Sequence, residues 1–378
     1  MAEGSLLREY LVRNIGPTVQ GGRIVDMDVN NKNPKEFYVA YASGGVFKTI
    51  NNGITFEPVF DHQDAIGVGD IMLSQSDPNV LYVGTGEKNS SRSSYAGSGV
   101  YKTTDGGNTW QHLGLSGTHH ISRVIIHPQD NNTVWVASMG SLYSDNKERG
   151  VFKTTDGGAT WKKTLFINDS TGVIDLVVNP QNPKQLFASS WERTRRSWDF
   201  KGSGTGSSIY RSDDGGETWA KSVSGFPQGM QVGRIGLELS SSKPNIIYAI
   251  LDNQGEVEDK KKDKQDAAKF KLDDFKEMSK EQFLKLDDKK LDEFLKDNGF
   301  PKKYNAELVK KEVGEDKYTP KASAEYFGGD ANANLFKTKI IGAELYRSDD
   351  GGNSWKKMNS YDLDGVFHTY GYYFAEMK

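Results

Sequence analysis

The chain has 378 residues, a net charge of −3 at pH 7 and a pI near 6.1. This slightly negative net charge excludes the strong positive field that holds nucleic acid or an anionic membrane by bulk electrostatics. The sequence contains no run of about 18 apolar residues, so no membrane-spanning helix is predicted. Cysteine is absent, which excludes disulfides, thiolate metal sites and thiol catalysis.

One phrase recurs along the chain, at 45–56, 99–110, 150–161, 208–219 and 344–355. Its fullest form is Thr-x-Asp-Gly-Gly-x-Thr-Trp. The turn positions are Asn51, Asp105, Asp156, Asp214 and Asp350, and the closing aromatic residues are Phe56, Trp110, Trp161, Trp219 and Trp355. A supersecondary unit that repeats about every 50 residues is typical of a propeller blade.

Each copy follows a polar turn that leads into an apolar strand, as in 33–39 and 77–83. The first repeat is thereby divided into four predicted strands, at 23–29, 37–42, 45–49 and 55–60. We predict an all-β fold: a β-propeller of four-stranded antiparallel blades, with five blades visible, partial ends and a small helical insertion.

The chemistry of the turn accounts for the recurring residues. Asp105 can accept hydrogen bonds from the backbone of its own turn, and Gly106 and Gly107 can adopt positive φ values. Trp110 offers a large ring to bury between neighbouring sheets. These residues are therefore interpreted as structural, and not as catalytic carboxylates.

The pattern resembles the Asp box, or BNR repeat. Together with Arg13-Asn-Ile-Gly-Pro17, Gly84-Thr-Gly-Glu87 and Ala188-Ser-Ser-Trp191, it resembles bacterial sortilin-like propellers, which are often loosely labelled glycosyl hydrolases. More distantly it is similar to xyloglucanase propellers. The resemblance implies an exported, extracytoplasmic protein, although no signal peptide is visible, and a chain that is part of a longer protein or larger assembly.

Residues 255–334 interrupt the repeats. A charge-rich run leads to a capping box at Ser279 and Gln282, a helix with Phe283 and Leu284 on its apolar side, a helix after Asp287, and a third helix over 305–313. The chain is thus divided into 1–254, 255–334 and 335–378. The insertion is interpreted as a packing or docking element, with a catalytic lid as the alternative. Residues 9–14 and 370–378 are predicted to be strands of incomplete blades.

Aligning the repeats brings Asp26, Asp70, Arg123 and Asp175 into one register of the innermost strands, and Arg23 and His120 into a second. One hypothesis is a ring of ligand-binding groups at the channel mouth. The alternative is a water-filled channel with salt-bridged walls. Further ligand-binding candidates lie on the loops between second and third strands, namely Glu87, Arg92, Trp191, Arg193, Arg195 and Trp198. The alternative there is a packed Trp191 and solvated arginines.

No metal site, cofactor motif or nucleophile elbow is present, so we expect no metal and no cofactor. Where the resemblance to xyloglucanases would place a catalytic Asp, this chain has Ser43 in Ala42-Ser43-Gly44-Gly45. We predict a non-catalytic propeller that binds a glycan, a peptide or a protein partner, and not nucleic acid. The alternative is a xyloglucanase-type glycoside hydrolase that needs a second propeller and a pair of facing carboxylates, from among Asp26, Asp70, Asp175, Glu87 and Glu192.

Overall fold

A computed structural model describes residues 22–91, 94–196, 199–256, 270, 272–275, 278–297, 300–325, 340–360 and 370–377. The chain divides into two compact units. The first comprises Met1–Gly255 and Ile340–Lys378 and contains the sheets. The second is Glu256–Lys339 and contains helices. The strand predicted at 9–14 and the motif at 13–17 lie outside the described residues.

The first unit consists of antiparallel four-stranded sheets whose strands follow one another in chain order. The strands are, blade by blade, β1 Ile24–Val29, β2 Phe37–Tyr41, β3 Gly45–Thr49 and β4 Glu57–Pro58; β5 Val68–Leu73, β6 Leu81–Thr85, β7 Val100–Thr103 and β8 Gln111–His112; β9 Ile121–His127, β10 Asp130–Ser138, β11 Gly150–Thr154 and β12 Lys162–Leu165; β13 Thr171–Val178, β14 Leu186–Glu192, β17 Ser208–Ser212 and β18 Ala220–Lys221; β19 Val232–Leu239, β20 Ile247–Glu256, β21 Ile340–Ser348 and β22 Lys356–Lys357. A short hairpin, β15 Thr194–Arg195 with β16 Phe200–Lys201, extends the fourth blade. The propeller prediction is confirmed.

The hydrophobic core lies between consecutive sheets. Val25 and Tyr38 of the first blade, for example, are buried against Ile71, Leu81 and Tyr101 of the second. Similar clusters join the second blade to the third, the third to the fourth and the fourth to the fifth. Burial of one large apolar side chain contributes roughly 1.5–3 kcal/mol. The repeats therefore stabilise one another across their faces, and the first strands β1, β5, β9, β13 and β19 lie side by side at the hub.

The Asp-box turn is closed by the side chain of its aspartate. The Asp105 carboxylate accepts hydrogen bonds from the Thr103 hydroxyl (2.7 Å), the Thr109 backbone N–H (2.9 Å) and the Thr109 hydroxyl (2.6 Å). These bonds lower the pKa of Asp105 to about 2. Gly106 and Gly107 have φ values of 70° and 98°, which glycine adopts at little cost. All these contacts lie within one turn, so the box is a local structural element.

The tryptophan that ends each of the last four boxes attaches its blade to the preceding one. The indole Nε1 donates from Trp110 to the Val59 carbonyl oxygen (2.7 Å) and from Trp161 to the Leu113 carbonyl oxygen (2.8 Å). Trp219 and Trp355 donate equivalently to Thr164 Oγ1 (3.3 Å) and Ser222 Oγ (3.0 Å). Four tryptophans thus occupy equivalent places on successive sheets.

The second unit contains helices α1 Lys280–Leu284, α2 Asp288–Asp297, α3 Ala306–Gly314 and α4 Pro320–Glu325. The capping box predicted at Ser279 and Gln282 is present, and Asn305 caps α3 through Leu308 N–H. The prediction for Leu284 is wrong: Phe283 is buried, but Leu284 is 38% exposed. The apolar side of so short a helix has room for one ring, which packs on Phe275.

Two strand predictions need correction. The last strand of the first repeat is confined to Glu57–Pro58, shorter than the predicted 55–60. The segment 370–378 was predicted as a strand, but Gly371–Phe374 forms a helical turn, α5, and packs on β19. Aromatic contacts within the turn, between Tyr370 and Phe374 and between Tyr370 and Tyr372, accompany this helical conformation.

Candidate functional site

Charged side chains that were predicted to share one register of the innermost strands are in direct contact. Arg123 donates from Nε to Asp175 Oδ1 (2.7 Å) and from Nη1 to Asp70 Oδ1 (3.1 Å). The second oxygen of each carboxylate accepts a backbone N–H of another blade: Asp70 Oδ2 accepts from Val124 (2.8 Å) and Asp175 Oδ2 accepts from Leu237 (2.9 Å). All four carboxylate oxygens are therefore engaged in contacts between neighbouring first strands.

Asp26 repeats this pattern at the first blade, where its Oδ2 accepts the Ile71 N–H (3.2 Å). Asp26, Asp70, Arg123 and Asp175 are all buried. Burial, and then the neighbouring Asp26, raise the pKa of Asp70, against the opposing effect of Arg123 and Lys88. The arrangement is that of a salt-bridged wall, in which each charge is compensated by a guanidinium or by amides.

The fifth blade carries Gly236 at the same register, and the last described segment of the chain fills that place. A Cβ on Gly236 would lie 2.9 Å from the Ala375 carbonyl oxygen and 2.9 Å from Glu376 Cα. The Glu376 carboxylate lies 2.8 Å from Lys88 Nζ, 3.5 Å from Arg123 Nη2 and 3.5 Å from Arg234 Nη2. Although burial opposes ionisation, these three cations lower the pKa of Glu376 to about 2.

The second register contributes a group around Glu87. Glu87 is fully buried and accepts from Arg23 Nη2 (2.7 Å), Arg23 Nε (3.2 Å) and the Tyr373 hydroxyl (3.0 Å). The Nδ1 atom of His120 lies 2.9 Å from the Glu87 carbonyl oxygen. Burial, and next the charge of Arg193, lower the pKa of His120 to about 3, so this imidazole is neutral at physiological pH.

The loop that follows β14 holds an indole and buried arginines. Trp191 is fully buried, packs with Met139 and Ile174, and donates to the Gly202 carbonyl oxygen (2.8 Å). Arg193 is only 2% exposed and Arg195 only 8%. Trp191 is thus a packed residue, as the alternative interpretation expected, but these two arginines are not solvated.

Two predicted binding residues, Arg92 and Trp198, lie outside the described residues. Within the described part of the chain, no group of three or more His, Asp or Glu side chains is arranged to hold a metal ion. Nor does any described helix have the length and apolar character needed to cross a membrane.

Sequence reasoning missed Lys88, Arg149, Arg234 and Glu376. A signal for Arg234 was available: its repeat position is occupied by Ile24, Val68, Ile121 and Val173 in the other blades, so a charge there departs from the pattern. Arg149 precedes the third box and donates to backbone carbonyl oxygens of Met139, Ser141 and Ser144. No comparable pattern distinguishes Lys88 or Glu376, whose contacts depend on the assembled hub.

Comparison with known proteins places these features in a family. The family model Sortilin-Vps10, described as sortilin, neurotensin receptor 3, matches residues 98–301, which is more than half of the chain. The xyloglucanase Xgh74A of Acetivibrio thermocellus is 28% identical over 235 residues, which are 56% of this chain and 27% of that protein. A xyloglucanase of a Paenibacillus species is 26% identical over 246 residues, 58% of this chain and 23% of the relative.

Among solved structures, the GH74 enzyme of Niastella koreensis has a TM-score of 0.51 and 13% sequence identity. The match covers 88% of this chain and 38% of that one, and it supports the propeller fold alone. The chain spans about a quarter of the length of the curated relatives it matches.

Proposed function

The chain belongs to the Sortilin-Vps10 family, and from that premise we propose that it is a non-catalytic, extracytoplasmic binding propeller. In this proposal the channel mouth and the loops between second and third strands hold a glycan, a peptide or a protein partner. The curated relatives that this chain matches are longer proteins, of which it covers about a quarter. The propeller is accordingly proposed to act as one part of a larger assembly.

The observation that carries the proposal is the state of the five carboxylates that the hydrolase alternative would use. Asp70 and Asp175 are bridged by Arg123, Asp26 binds the Ile71 N–H, and Glu87 binds Arg23. Glu192 binds Lys201 (2.8 Å) and the Gly206 N–H (2.8 Å). A general acid and its partner must be free to reach the glycosidic oxygen and a water or sugar carbon. These side chains are engaged in holding the fold.

An exposed aromatic residue on the loop between β6 and β7 offers a contact for such a ligand. Tyr95 is 52% exposed, and its backbone carbonyl oxygen accepts the Glu87 N–H (3.2 Å), which fixes the loop beside the buried group around Glu87. Aromatic rings supply large contact areas to sugars and peptides at low entropic cost.

The second candidate is a xyloglucanase-type hydrolase, which the similarity to two xyloglucanases favours. It would need a second propeller and an acid at another position, since Ser43 stands where the resemblance to xyloglucanases would place a catalytic Asp. Xyloglucan is consequently the first glycan to test, in both a binding assay and a hydrolysis assay.

The test compares wild-type protein with Tyr95→Ala and Asp70→Asn on a glycan array that includes xyloglucan oligosaccharides, together with an assay for released reducing ends. We expect binding without turnover and about a tenfold loss of affinity in Tyr95→Ala, since one such contact is worth about 1.4 kcal/mol. Tyr318→Ala, in the helical unit, is the matched control for loss of an exposed tyrosine. Release of reducing ends by the wild type, lost in a folded Asp70→Asn variant, would favour the hydrolase instead.

A further inference from the structure

Arg193 is a buried charge without an acceptor among the described residues. Its side chain is 2% exposed, and none of Nε, Nη1 and Nη2 has a hydrogen-bond partner in the part of the chain that the structure describes. Burying an ionised group without a partner is strongly unfavourable. Trp191 offers its ring face 5.4 Å from the guanidinium carbon, and the attraction between a cation and one ring is weaker than that penalty. The indole alone does not compensate the burial.

The surroundings of Arg193 add positive charge. Burial, followed by the neighbouring Arg149, Arg234 and Arg195, lowers the pKa of Arg193 to about 9. The acid that opposes these charges is Glu87, whose oxygens already accept bonds from Arg23 and Tyr373.

The neighbouring arginines can only donate hydrogen bonds, and the acceptors beside them are already engaged. Arg149 donates to backbone carbonyl oxygens, and Arg195 donates to the Ser90 carbonyl oxygen (3.2 Å). Arg234 is held by Asn89 and Glu376. Ser90 adds a buried hydroxyl that also has no hydrogen-bond partner among the residues that the structure describes.

We propose that Arg193 is the centre of a binding site for one small monovalent anion, of halide to formate size, enclosed beside Trp191. A guanidinium presents donors in a planar fork that suits a compact anion. The 2% exposure of Arg193 limits the ligand to a small ion. This site goes beyond the proposed binding function and does not depend on it, since a protein that binds no glycan would still need the anion.

The site is tested by thermal unfolding at constant ionic strength while sodium gluconate is replaced stepwise by sodium chloride. An anion that binds only the native state raises the Tm, and we expect a saturable rise on the order of 2–4 °C for the wild type. Arg193→Met should abolish the rise. Arg347→Met, which removes a partly buried arginine paired with Asp349, should retain it. No rise in the wild type, or an equal rise in Arg193→Met, would overturn the proposal.

Parallel titrations identify the ligand, and a crystal locates it. Formate should act as chloride does, whereas glucuronate and glutamate should have no effect. If only the two larger acids raise the Tm, the assignment to a small ion is wrong. A crystal grown in bromide should give an anomalous peak within about 3.5 Å of the Arg193 guanidinium. This measurement needs no variant to fold, and the absence of such a peak at Arg193 would also overturn the site.

Discussion

Asparagine replaces aspartate in the first box, and the hydrogen bonds of Asn51 explain why the turn still forms. Asn51 Oδ1 accepts from the Thr49 hydroxyl (3.0 Å) and the Thr55 N–H (3.0 Å), as Asp105 does in its own turn. Its Nδ2 donates to the Thr55 hydroxyl (2.9 Å), where an aspartate would accept. The phenyl ring of Phe56 has no N–H to donate, and Phe56 is 43% exposed. The amide therefore keeps the turn, while the indole contact to a preceding sheet is missing.

A single buried acid should make the stability of this protein depend on pH. Asp252 on β20 is fully buried, and burial raises its pKa to about 7, although Gln254 and Arg234 oppose the shift. The native state then keeps a proton that the unfolded chain loses near its ordinary pKa of 3.8. The contribution of this group to stability is thus present below about pH 4, falls as the pH rises to about 7, and is constant above.

Asp252→Asn should remove this dependence because its amide stays neutral and can still accept from Gln254. We expect the variant to gain more stability over the wild type at pH 8 than at pH 5, measured by urea unfolding at both values. Asp213→Asn, at an exposed ion pair with Arg211, serves as the control and should show little difference. An equal gain for Asp252→Asn at pH 5 and pH 8 would contradict the assignment.

At the scale of elements, the first strands of the blades show what the sequence could predict about the hub. The repeat register correctly placed Asp70, Arg123 and Asp175 on one face, because strand periodicity and blade alignment are both readable from the chain. The position of Glu376 beside Gly236 could not be predicted from the sequence. It depends on a tertiary contact between the last described segment and a strand that lies far away in the sequence. The burial of Arg193 was missed for the same reason.

Arg123 should be the most costly single charge to remove from these strands. Arg123→Met keeps most of the side-chain volume but leaves the Asp70 and Asp175 carboxylates buried without their bridge, and breaking such a pair costs about 3–5 kcal/mol. Urea unfolding should show this loss, and adding Asp70→Asn and Asp175→Asn should recover part of it. Lys162→Met, which breaks an exposed pair with Glu217, should cost less than about 1 kcal/mol. Similar losses for the two single variants would show that the hub bridge is not stabilising.

The chain divides into two units, and each has a hydrophobic cluster of its own among the described residues. The helical unit has its own cluster, which includes Phe275, Phe283 and Phe294. The fifth blade keeps its strand order, with β20 beside β21, although the insertion lies between them in the sequence. The propeller and the helix caps were predictable because repeats and capping boxes are local patterns. The exposure of Leu284 was not, because packing within the helical unit decides which side of α1 is covered.

Replacing 256–339 by a linker of about ten glycine and serine residues should therefore leave the propeller folded, since a flexible connection between neighbouring strands has a small closure cost. The fifth blade should still form, because Phe226, Tyr346 and Trp355 pack in a cluster that includes no residue of the insertion. Scanning calorimetry should show the main transition within a few degrees of the wild type and the loss of any separate transition due to the helices. Trp355→Phe should lower the main transition by the same amount with and without the insertion. If excision unfolds the fifth blade, or if the effect of Trp355→Phe changes, the helical unit contributes to the stability of the propeller and the two cores are coupled.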